Sequence, residues 1–337
     1  MKKISFLGAG SWGIALTVLL SGNNHDVTVW SIDANEIEML NTYREHKTKL
    51  AGVMVDEKVV FTTDVELACK GAELLVMVVP SPFIRSTAKR IAPYVTKEQI
   101  IVNVSKGIEE STLMTLTDVI EEEIPNVRVG VLSGPSHAEE VGKCMPTTVV
   151  CSAKDEKTAL TIQDVFMSDY FRVYTSPDML GIELGGALKN VIALAAGVAD
   201  GLGCGDNTKA ALITRGISEI TRLGIAMGGK QETFSGLSGI GDLIVTCASE
   251  HSRNRRAGYL MGQGKTYKEA MDEVKMVVEG VYSAKAAYLL SKKYEIDMPI
   301  VTAVNKILFE GLSAKEAMVI LLTRTTTSES KALLWDN

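Results

Sequence analysis

The chain has 337 residues and a formal net charge of -6 at pH 7. Single hydrophobic cores seldom grow beyond roughly 250 to 300 residues, so this length predicts two domains. The acidic balance and the lack of long basic runs exclude nucleic acid and an anionic membrane as main partners. The five cysteines form no C-x-x-C pair and the four histidines have no metal-ligand spacing. We therefore expect free thiols in a reducing cytoplasm, no metal site and, without a long apolar run, no membrane insertion.

Glycines at positions 8, 10 and 13 have the spacing G-x-G-x-x-G between an apolar run and a segment with helical periodicity. The pattern predicts a strand, a tight turn and a helix. Gly8 makes the turn, Gly10 lets a diphosphate approach the backbone, and Gly13 lets the helix pack on the strand. The alternatives are a secretory signal and a glycine turn that binds nothing. The signal is disfavoured because glycines and Trp12 interrupt the apolar run and no A-x-A-like cleavage site follows.

Short β-rich runs alternate with helical segments up to about residue 175. This alternation is typical of α/β proteins with a Rossmann-like, doubly wound, mainly parallel sheet. Candidate ligand contacts directly follow three of the runs, at Pro80, Lys106 and Gly134. Because ligands bind beyond the carboxyl ends of parallel strands, we expect these positions at one edge of the sheet. The predicted strands are residues 3–8, 26–30, 58–62, 73–79, 99–104, 127–132, 147–151 and 171–174.

Asp33 lies 20 residues after Gly13, near the end of the second predicted strand. In a dinucleotide-binding fold, an acidic side chain at this place accepts hydrogen bonds from the adenosine ribose hydroxyls. Asp33 is equally suited to cap the helix predicted to begin at Ala34. The sequence leaves both roles open.

Helical periodicity replaces the β-rich runs beyond about residue 177. We therefore expect a Rossmann-like NAD(P)-binding domain at residues 1–180 and a helical substrate-binding domain at residues 181–337. The segment 183–197 is apolar almost all round, which predicts a buried helix, yet it contains Lys189. One interpretation is a lysine that extends its ammonium group to the surface. The favoured one is an ammonium in a poorly solvated cleft, where burial and a second cation such as Lys106 lower its pKa and make it a proton donor and acceptor.

A glycine-rich loop at residues 235–242 places Asp242 at the start of another apolar helix. One interpretation is that Asp242 only caps this helix. The other is that the loop faces Lys189, in which case the carboxylate orients the lysine or a substrate hydroxyl.

A basic segment, Ser-Arg-Asn-Arg-Arg at residues 252–256, has the pattern of a helix start with Ser252 as the cap. Three arginines there oppose the helix dipole, which favours negative charge at that end. A bound phosphate reverses this cost, because backbone N–H groups and guanidinium groups both suit phosphate oxygens. The alternative is a solvated basic face. If the segment binds phosphate, Arg253 and Asn254 are the expected contacts.

These segments together resemble the bacterial NAD(P)-dependent sn-glycerol-3-phosphate dehydrogenase family over nearly the whole chain. Many dehydrogenases share the glycine motif, whereas the segments around Lys189 and Ser252 are far more specific. The matching segments are GAGSWG at 8–13, VSKG at 104–107, SGPSHAEE at 133–140, GALKNVIA at 186–193, GIGDL at 239–243, SRNRR at 252–256 and VVEG at 277–280.

The resemblance implies an oxidoreductase that interconverts dihydroxyacetone phosphate and sn-glycerol 3-phosphate with NAD(P)H, for glycerophospholipid synthesis. It implies that Lys189 is the proton donor and acceptor, with Asp242 and Lys106 as further catalytic residues. Together with the three glycines and Asp33, the implied cofactor contacts are Ser11, Trp12, Lys106, Ala138, Arg253, Val277 and Glu279. The implied substrate contacts are Lys106, Gly134, Ser136, Lys189, Asp242, Ser252, Arg253 and Asn254.

The chain departs from the family pattern after the second strand. Many members carry an arginine there, suited to the 2′-phosphate of NADP, whereas this chain has Ser31, Ile32 and Asp33. A carboxylate repels that phosphate, so a preference for NADP depends on compensation by Lys47 or Lys49.

Two other functions remain open from the sequence. Another two-domain dehydrogenase, acting on a hydroxy acid or a hydroxyacyl thioester, needs no basic cluster near the reaction centre. A catalytically silent NAD(P)-binding redox sensor needs no acid-base lysine. The expected partner is a small phosphorylated molecule, and the family resemblance implies a cytoplasmic homodimer.

Overall fold

The computed structural model describes residues 1–326, 328 and 329, so the end of the predicted second domain, residues 330–337, lies outside the described residues together with residue 327. An eight-stranded sheet and a two-stranded hairpin make up the β structure of the described part. All eight predicted strands of the large sheet are confirmed to within two residues at each end, whereas the hairpin, β3 and β4, was not predicted. The strands are β1 (Lys3–Leu7), β2 (Asp26–Trp30), β3 (Glu45–His46), β4 (Leu50–Met54), β5 (Val60–Thr62), β6 (Leu74–Met77), β7 (Ile100–Asn103), β8 (Arg128–Ser133), β9 (Thr147–Ala153) and β10 (Phe171–Thr175).

Helices connect the strands and, after β10, form the rest of the described chain. Short 3-10 turns at Ser81–Phe83 and Ala92–Tyr94 and a π turn at Leu237–Gly241 supplement them. The α-helices are α1 (Ser11–Gly22), α2 (Ala34–Tyr43), α3 (Val65–Cys69), α4 (Ile84–Ile91), α5 (Leu116–Glu123), α6 (Ala138–Val141), α7 (Glu156–Phe166), α8 (Met179–Gly201), α9 (Asp206–Ala226), α10 (Gln231–Phe234), α11 (Asp242–Ala248), α12 (Arg253–Gly262), α13 (Tyr267–Val274), α14 (Glu279–Lys293), α15 (Pro299–Phe309) and α16 (Ala314–Leu322).

The large sheet has the strand order β10-β9-β8-β7-β6-β1-β2-β5. The six strands from β5 to β8 are parallel, β9 is antiparallel to β8, and β10 is parallel to β9. The chain leaves β1 toward β2 on one side and later adds β6 on the other, so the topological switch point lies between β1 and β6. Ligands of doubly wound sheets bind in the crevice at that point. The predicted Rossmann-like, mainly parallel sheet is confirmed.

Both faces of the sheet are covered by helices, which explains the continuous apolar strands. Phe6 and Val76 belong to a buried cluster with residues of α1 and α7. The alternating residues Leu7, Leu75 and Met77 belong to a second cluster with residues of α3, α4 and α5. The sheet is thereby fixed from both sides, and its carboxyl edge is a rigid platform for side chains.

Helix α8 is the centre of the helical part, packed by α9, α11, α12, α14 and α15. Within the described residues it is the one helix long and apolar enough to cross a membrane, and 94% of its most apolar 18-residue window is buried inside the protein. Its apolar character on all sides therefore reflects packing by neighbouring helices, as the sequence predicts for residues 183–197.

Glycines allow α8 and α12 to touch through their backbones. A Cβ atom at Gly258 would lie 2.1 Å from the Leu194 carbonyl oxygen, and one at Gly197 would lie 2.0 Å from the Arg255 carbonyl oxygen. One turn further along the contact, Gly201 and Gly262 also face backbone atoms of the opposite helix. Larger side chains would force the helices apart, so this contact determines how closely the start of α12 approaches α8.

We predict that Gly258→Ala lowers the free energy of unfolding by about 1–3 kcal/mol, because the new methyl group has no space against the α8 backbone. Urea and thermal denaturation measure the change. Gly22→Ala is the matched control, since a Cβ atom at this helical glycine of α1 meets nothing within 4 Å and alanine favours helix. A Gly258→Ala protein as stable as the Gly22→Ala protein would contradict the backbone contact.

Candidate active site

The turn between β1 and α1 has the geometry that the glycine spacing predicts. Gly8 has φ +125° and leaves a Cβ atom no free space, with Val79 atoms at 3.1 Å. A Cβ atom at Gly13 would lie 2.5 Å from the Gly8 carbonyl oxygen, so close packing of helix on strand requires glycine there. A Cβ atom at Gly10 would meet nothing within 4 Å, which leaves open space where a ligand can approach the backbone.

The start of α1 fits an anionic group. Its N-cap is Gly10, which provides no side-chain cap, and its first turn contains no acidic residue. The N–H groups at Ser11, Trp12 and Gly13 point out of the helix end without intrahelical acceptors. Together with the positive end of the helix dipole, they form a site suited to the diphosphate of a dinucleotide. The predicted fit of this turn to NAD(P)H is therefore supported by the local geometry.

A cleft of about 910 Å³ extends from this turn to the helical part of the chain. Most of the predicted site residues line it. Those that line the cleft are Gly8, Gly10, Ser11, Trp12, Asp33, Lys106, Ser136, Ala138, Lys189, Ser252, Arg253, Asn254, Val277 and Glu279. Gly13, Gly134 and Asp242 are not among the cleft-lining residues, but Asp242 pairs with both lysines and the Gly134 carbonyl oxygen accepts from Lys106. The predicted cofactor and substrate positions thus come together in one cavity.

Asp33 occupies the cap position of α2 and also lines the cleft. Its carboxylate accepts hydrogen bonds from the backbone N–H groups of Asn35 at 2.9 Å and Glu36 at 3.4 Å. The capping role is therefore confirmed. The exposed carboxylate has further acceptor capacity, so the ribose role stays a prediction.

The two lysines considered for the NADP phosphate are both engaged in ion pairs. Lys49 donates to Oε1 of the buried Glu36 at 2.5 Å and lines the cleft. Lys47 pairs with Glu45, away from the cleft-lining residues. Only Lys49 is therefore placed near the predicted adenosine end of the cleft.

The centre of the site is one carboxylate shared by two lysines. Oδ1 of Asp242 lies 2.7 Å from Nζ of Lys189, and its Oδ2 lies 2.6 Å from Nζ of Lys106. Lys189 also donates to the Thr246 hydroxyl at 2.5 Å. Lys189 is only 5% exposed, so the interpretation of a lysine extending to the surface is wrong. Asp242 is the first residue of α11, whose cap is Gly241, so its role as an N-cap is wrong as well.

The surroundings of Lys189 lower its pKa from 10.5 to about 8. Burial is the largest cause, because it disfavours the charged ammonium. Asp242 opposes this effect, and Lys106 adds to the lowering by repulsion. Burial also tends to raise the pKa of Asp242, but Lys106 and Lys189 outweigh it and hold that pKa below its usual range. The site therefore combines a carboxylate whose pKa is held below its usual range with a lysine whose pKa is lowered to about 8.

Two adjacent glycines in α8 make room for this arrangement. A Cβ atom at Gly185 would lie 2.5 Å from the Ser238 carbonyl oxygen, so the loop before Asp242 reaches the helix only because this residue is glycine. A Cβ atom at Gly186 would lie 2.9 Å from Oγ of Ser133 and in ordinary contact with Cγ of Lys106 at 3.5 Å. Of the two interpretations that the sequence left open for the loop, the one in which it faces Lys189 therefore holds, with the contact one helical turn from the lysine.

The residues that follow β8 also contact Lys106. The Lys106 ammonium donates to the Gly134 carbonyl oxygen at 2.9 Å, and the Ser136 hydroxyl donates to the same oxygen at 2.9 Å. Since β7 and β8 are neighbours in the sheet, the residues after them meet at one edge, as predicted.

The basic segment begins α12 with Ser252 as the predicted cap, accepting from the Arg255 N–H at 3.2 Å. The three arginines have different surroundings. Arg253 is half-buried in the cleft wall and donates to the Val277 carbonyl oxygen at 3.2 Å; burial lowers its pKa below the usual range of an arginine. Arg255 pairs with Asp200 at 2.7 Å outside the cleft. The solvated-face interpretation therefore applies only to Arg256, which is exposed.

Asn254 and Glu279 connect the cleft walls. The Asn254 side chain donates to Oδ1 of Asn190 at 2.9 Å and accepts from the Gly280 N–H at 2.8 Å. The Glu279 carboxylate accepts from the Ser81 backbone N–H at 3.0 Å and from the Ser81 hydroxyl at 2.5 Å. The start of α14 is thereby bound both to α12 and to the turn that follows β6.

Four residues of the site were not assigned a role from the sequence. Thr246 contacts Lys189 and lies one turn after Asp242, and Asn190 directly follows Lys189, so their neighbours offered a signal. Ser81 follows a predicted strand, but its contact with Glu279 spans 198 positions. His137 lines the cleft, and no spacing or pattern in the sequence indicated it.

Comparisons with known proteins agree with this geometry. Residues 3–159 match the family profile described as NAD-dependent glycerol-3-phosphate dehydrogenase N-terminus, and residues 178–319 match the corresponding C-terminus. The chain is 60% identical to a glycerol-3-phosphate dehydrogenase (NAD(P)+) of Agathobacter rectalis, over 99% of this chain and 100% of that protein. It is 58% identical to the enzyme of the same name from Fusobacterium nucleatum, over 96% and 97% of the two chains. The crystal structure of glycerol-3-phosphate dehydrogenase from Coxiella burnetii is similar with a TM-score of 0.93 and 35% identity, covering 96% of this chain and 99% of that one. The chain therefore belongs to the NAD-dependent glycerol-3-phosphate dehydrogenase family.

Proposed function

We propose that this chain interconverts dihydroxyacetone phosphate and sn-glycerol 3-phosphate by hydride transfer with NAD(P)H, supplying the backbone of glycerophospholipids. The observation that carries the proposal is the buried Lys106–Asp242–Lys189 cluster, which lies in the same cleft as the glycine turn and the start of α12. A hydride cofactor, an acid-base lysine and an anion site are the three parts that this reaction requires. We assign residues 1–180 to a cofactor-binding domain and residues 181–337 to a substrate-binding domain.

The residues around the first turn would hold the cofactor. Gly8, Gly10 and Gly13, with Ser11 and Trp12, would surround the diphosphate, and Asp33 would accept hydrogen bonds from the adenosine ribose. Further along the cleft, the cofactor contacts would be Lys106, Ala138, Arg253, Val277 and Glu279. When bound, NAD(P)H supplies a hydride to the substrate carbonyl carbon, and its oxidised form accepts one from the alcohol carbon.

Lys189 is the proton donor to the ketone oxygen in reduction and the acceptor from the hydroxyl in oxidation. With a pKa of about 8, both its charged and its neutral form are accessible near neutral pH. A general acid or base is most effective when its pKa lies near the working pH. The lowered pKa of Lys189 therefore suits a reversible reaction.

Asp242 and Lys106 act on the same proton transfer. The Asp242 carboxylate fixes the Lys189 ammonium by an ion pair of 2.7 Å, which favours a single side-chain geometry. The Lys106 ammonium, held by Asp242 and the Gly134 carbonyl oxygen, repels the Lys189 charge and is available to the substrate oxygen. Asp242 balances two cations, so the cluster keeps a net positive charge where negative charge develops.

The substrate phosphate would bind at the start of α12. Ser252 caps this helix, and its N-terminal N–H groups and the Arg253 guanidinium suit a dianionic group. Asn254 would contribute its remaining amide N–H, and Gly134 and Ser136 would line the opposite strand end. A phosphate here offsets the unfavourable placement of Arg253 in the first turn.

We also propose a cytoplasmic homodimer. Helix α16 exposes Val319, Ile320 and Leu322, with 53%, 49% and 78% of their surfaces accessible. Neighbouring apolar side chains on a surface helix are typical of an interface. Sedimentation velocity of the purified chain measures the oligomeric state.

The function is tested by NAD(P)H absorbance in purified protein with dihydroxyacetone phosphate, with unphosphorylated dihydroxyacetone in parallel. We expect oxidation that requires the phosphate. Lys189→Ala is expected to lower kcat by about 100-fold or more, because it removes the proton donor, while cofactor binding measured by NADH fluorescence stays nearly unchanged.

The matched control is Lys293→Ala at the exposed end of α14, which we expect to retain full activity. Unchanged turnover of Lys189→Ala would exclude the mechanism. A wild-type protein that binds NAD(P)H but oxidises it with neither substrate would favour the redox sensor. Oxidation only with hydroxyacyl or keto acid substrates would favour another dehydrogenase.

The pH dependence of the two directions is expected to be opposite. Reduction requires protonated Lys189, so its kcat/KM falls as the pH rises through about 8. Oxidation requires neutral Lys189, so its kcat/KM rises through the same pH. Lys106→Met removes a repelling charge and moves both midpoints to higher pH. Initial rates between pH 6 and 10 measure this, and parallel profiles in the two directions would contradict the assignment.

Asp33→Asn is expected to raise the ratio of kcat/KM for NADPH to that for NADH by about fivefold, because a repulsion of order 1 kcal/mol is removed near the 2′-phosphate. Asparagine keeps the cap of α2, so the helix is retained. The control is Asp64→Asn, since Asp64 caps α3 with the same two hydrogen bonds and is not among the cleft-lining residues. Equal ratios in the two variants would mean that Asp33 does not influence the cofactor choice.

A further inference from the structure

One face of helix α4 lines the cleft, and an arginine lies at the end of that face. Ser86 and Thr87 line the cleft, and Arg90 follows them at intervals of four and three residues, the spacing of one helical face. Arg90 is exposed and forms neither an ion pair nor a side-chain hydrogen bond with any residue that the structure describes. The cleft therefore contains a guanidinium group whose donors are available to a ligand.

The Arg90 guanidinium lies at the end of β2. Its central carbon is 6.0 Å from the centroid of the ring of Trp30, the last residue of β2. The Trp30 side chain is buried and its Nε1 donates to the Thr63 carbonyl oxygen at 3.0 Å, so the ring has a fixed orientation. In a dinucleotide-binding fold this strand end contacts the adenosine ribose. An acidic residue there binds the 2′-hydroxyl of NAD, or a nearby arginine accommodates the 2′-phosphate of NADP.

The other charged groups at this strand end do not supply a cation for a phosphate. Burial tends to raise the pKa of Glu36, but hydrogen bonds from three neighbouring side chains, Lys49 among them, outweigh it and lower that pKa to about 2. Lys49 is therefore balanced by an ionised carboxylate at 2.5 Å. The exposed Asp33 adds a further negative charge. Arg90 is thus the cation beside β2 that has no ionic partner in the described part of the chain.

A structural role for the charge of Arg90 is the alternative. The carboxyl end of a helix favours basic residues, and Lys89 lies in the same last turn of α4. Lys89 pairs with Glu123 at 3.7 Å and is not among the cleft-lining residues. The helix dipole therefore accounts for a basic residue in this turn, but not for an unpaired arginine on the face that lines the cleft.

We infer that Arg90 binds the 2′-phosphate of NADP(H) and is a specificity-determining residue for the cofactor. The inference rests on the proposed function, for which it names the class of cofactor. A guanidinium group forms two parallel hydrogen bonds with a phosphate, so Arg90 offsets the repulsion by Asp33 through directed bonds as well as charge. The chain thereby accepts NADPH although the residues directly after β2 include no arginine.

Arg90→Gln tests the inference through cofactor binding in the absence of substrate. We expect the Kd of NADPH, measured by its fluorescence, to rise about tenfold or more, as for loss of a hydrogen bond between charged groups, while the Kd of NADH stays the same. Calorimetric titration with 2′,5′-ADP, which carries the phosphate, and with 5′-AMP, which lacks it, is expected to show the same selective loss. Arg90→Lys, which keeps the charge without the planar fork, is expected to recover part of the NADPH affinity.

Two control variants remove a charge elsewhere. Lys89→Gln changes the preceding residue of α4, outside the cleft lining, and is expected to leave both Kd values unchanged. Lys275→Gln removes the exposed cation that lines the cleft after α13 and is expected to leave the ratio of the two Kd values unchanged. An equally selective loss in either control would show a general effect of charge and would overturn the inference.

Three further outcomes would also overturn it. They are unchanged NADPH binding in Arg90→Gln, equal losses for NADPH and NADH, which would place the guanidinium on the adenine ring, and a wild-type chain that does not bind 2′,5′-ADP. None of these measurements uses the ketone substrate. A chain that binds NADPH through Arg90 but does not reduce dihydroxyacetone phosphate would therefore contradict the proposed function alone, and the two failures are distinguishable.

Discussion

The Asp242 carboxylate, shared between the ammonium groups of Lys106 and Lys189, is the interaction on which the rest of the site depends. An isolated charge in this environment would be strongly destabilised, because burial removes its hydration. The two ammonium groups lie within hydrogen-bonding distance of the Asp242 carboxylate, so the opposite charges compensate for the lost hydration. The arrangement requires the residues after β7, helix α8 and the glycine-rich loop before Asp242 to lie within hydrogen-bonding distance of one another.

Close backbone approach provides the necessary geometry. Gly185 lets the loop before Asp242 contact α8, and Gly258 lets α12 contact the same helix. In each case the next larger residue would overlap a carbonyl oxygen. Helix α8 therefore acts as a common support, and the residues at the starts of α11 and α12 take their places relative to Lys189 from it. This explains why a buried, apolar helix contains a lysine at its centre.

The cleft also depends on contacts between the sheet and the helical part. The Glu279 carboxylate binds the Ser81 N–H and hydroxyl, which links the start of α14 to the turn after β6. Within the helical part, the Arg253 guanidinium binds the Val277 carbonyl oxygen. The contact between Glu279 and Ser81 links residues 198 positions apart, and Arg253, Val277 and Glu279 are all predicted cofactor positions. Glu279 is half-buried, and burial raises its pKa above the usual range, whereas its two hydrogen bonds with Ser81 favour the charged form. The walls on which the predicted cofactor and substrate residues lie are thus linked to each other.

Local patterns in the sequence determined the strands of the large sheet, the glycine turn, the buried helix with Lys189 and the cap at Ser252. Each depends on residues within one turn or strand, where apolar periodicity and cap preferences act directly. Only the tertiary structure decided between the side-chain roles that the sequence left open. Asp242 pairs with the two lysines and does not cap a helix. Arg255 forms an ion pair with Asp200, and Lys47 forms one with Glu45. Charges and hydrogen bonds select partners by distance in space, and distance in space between such residues is determined by packing rather than by their separation along the chain.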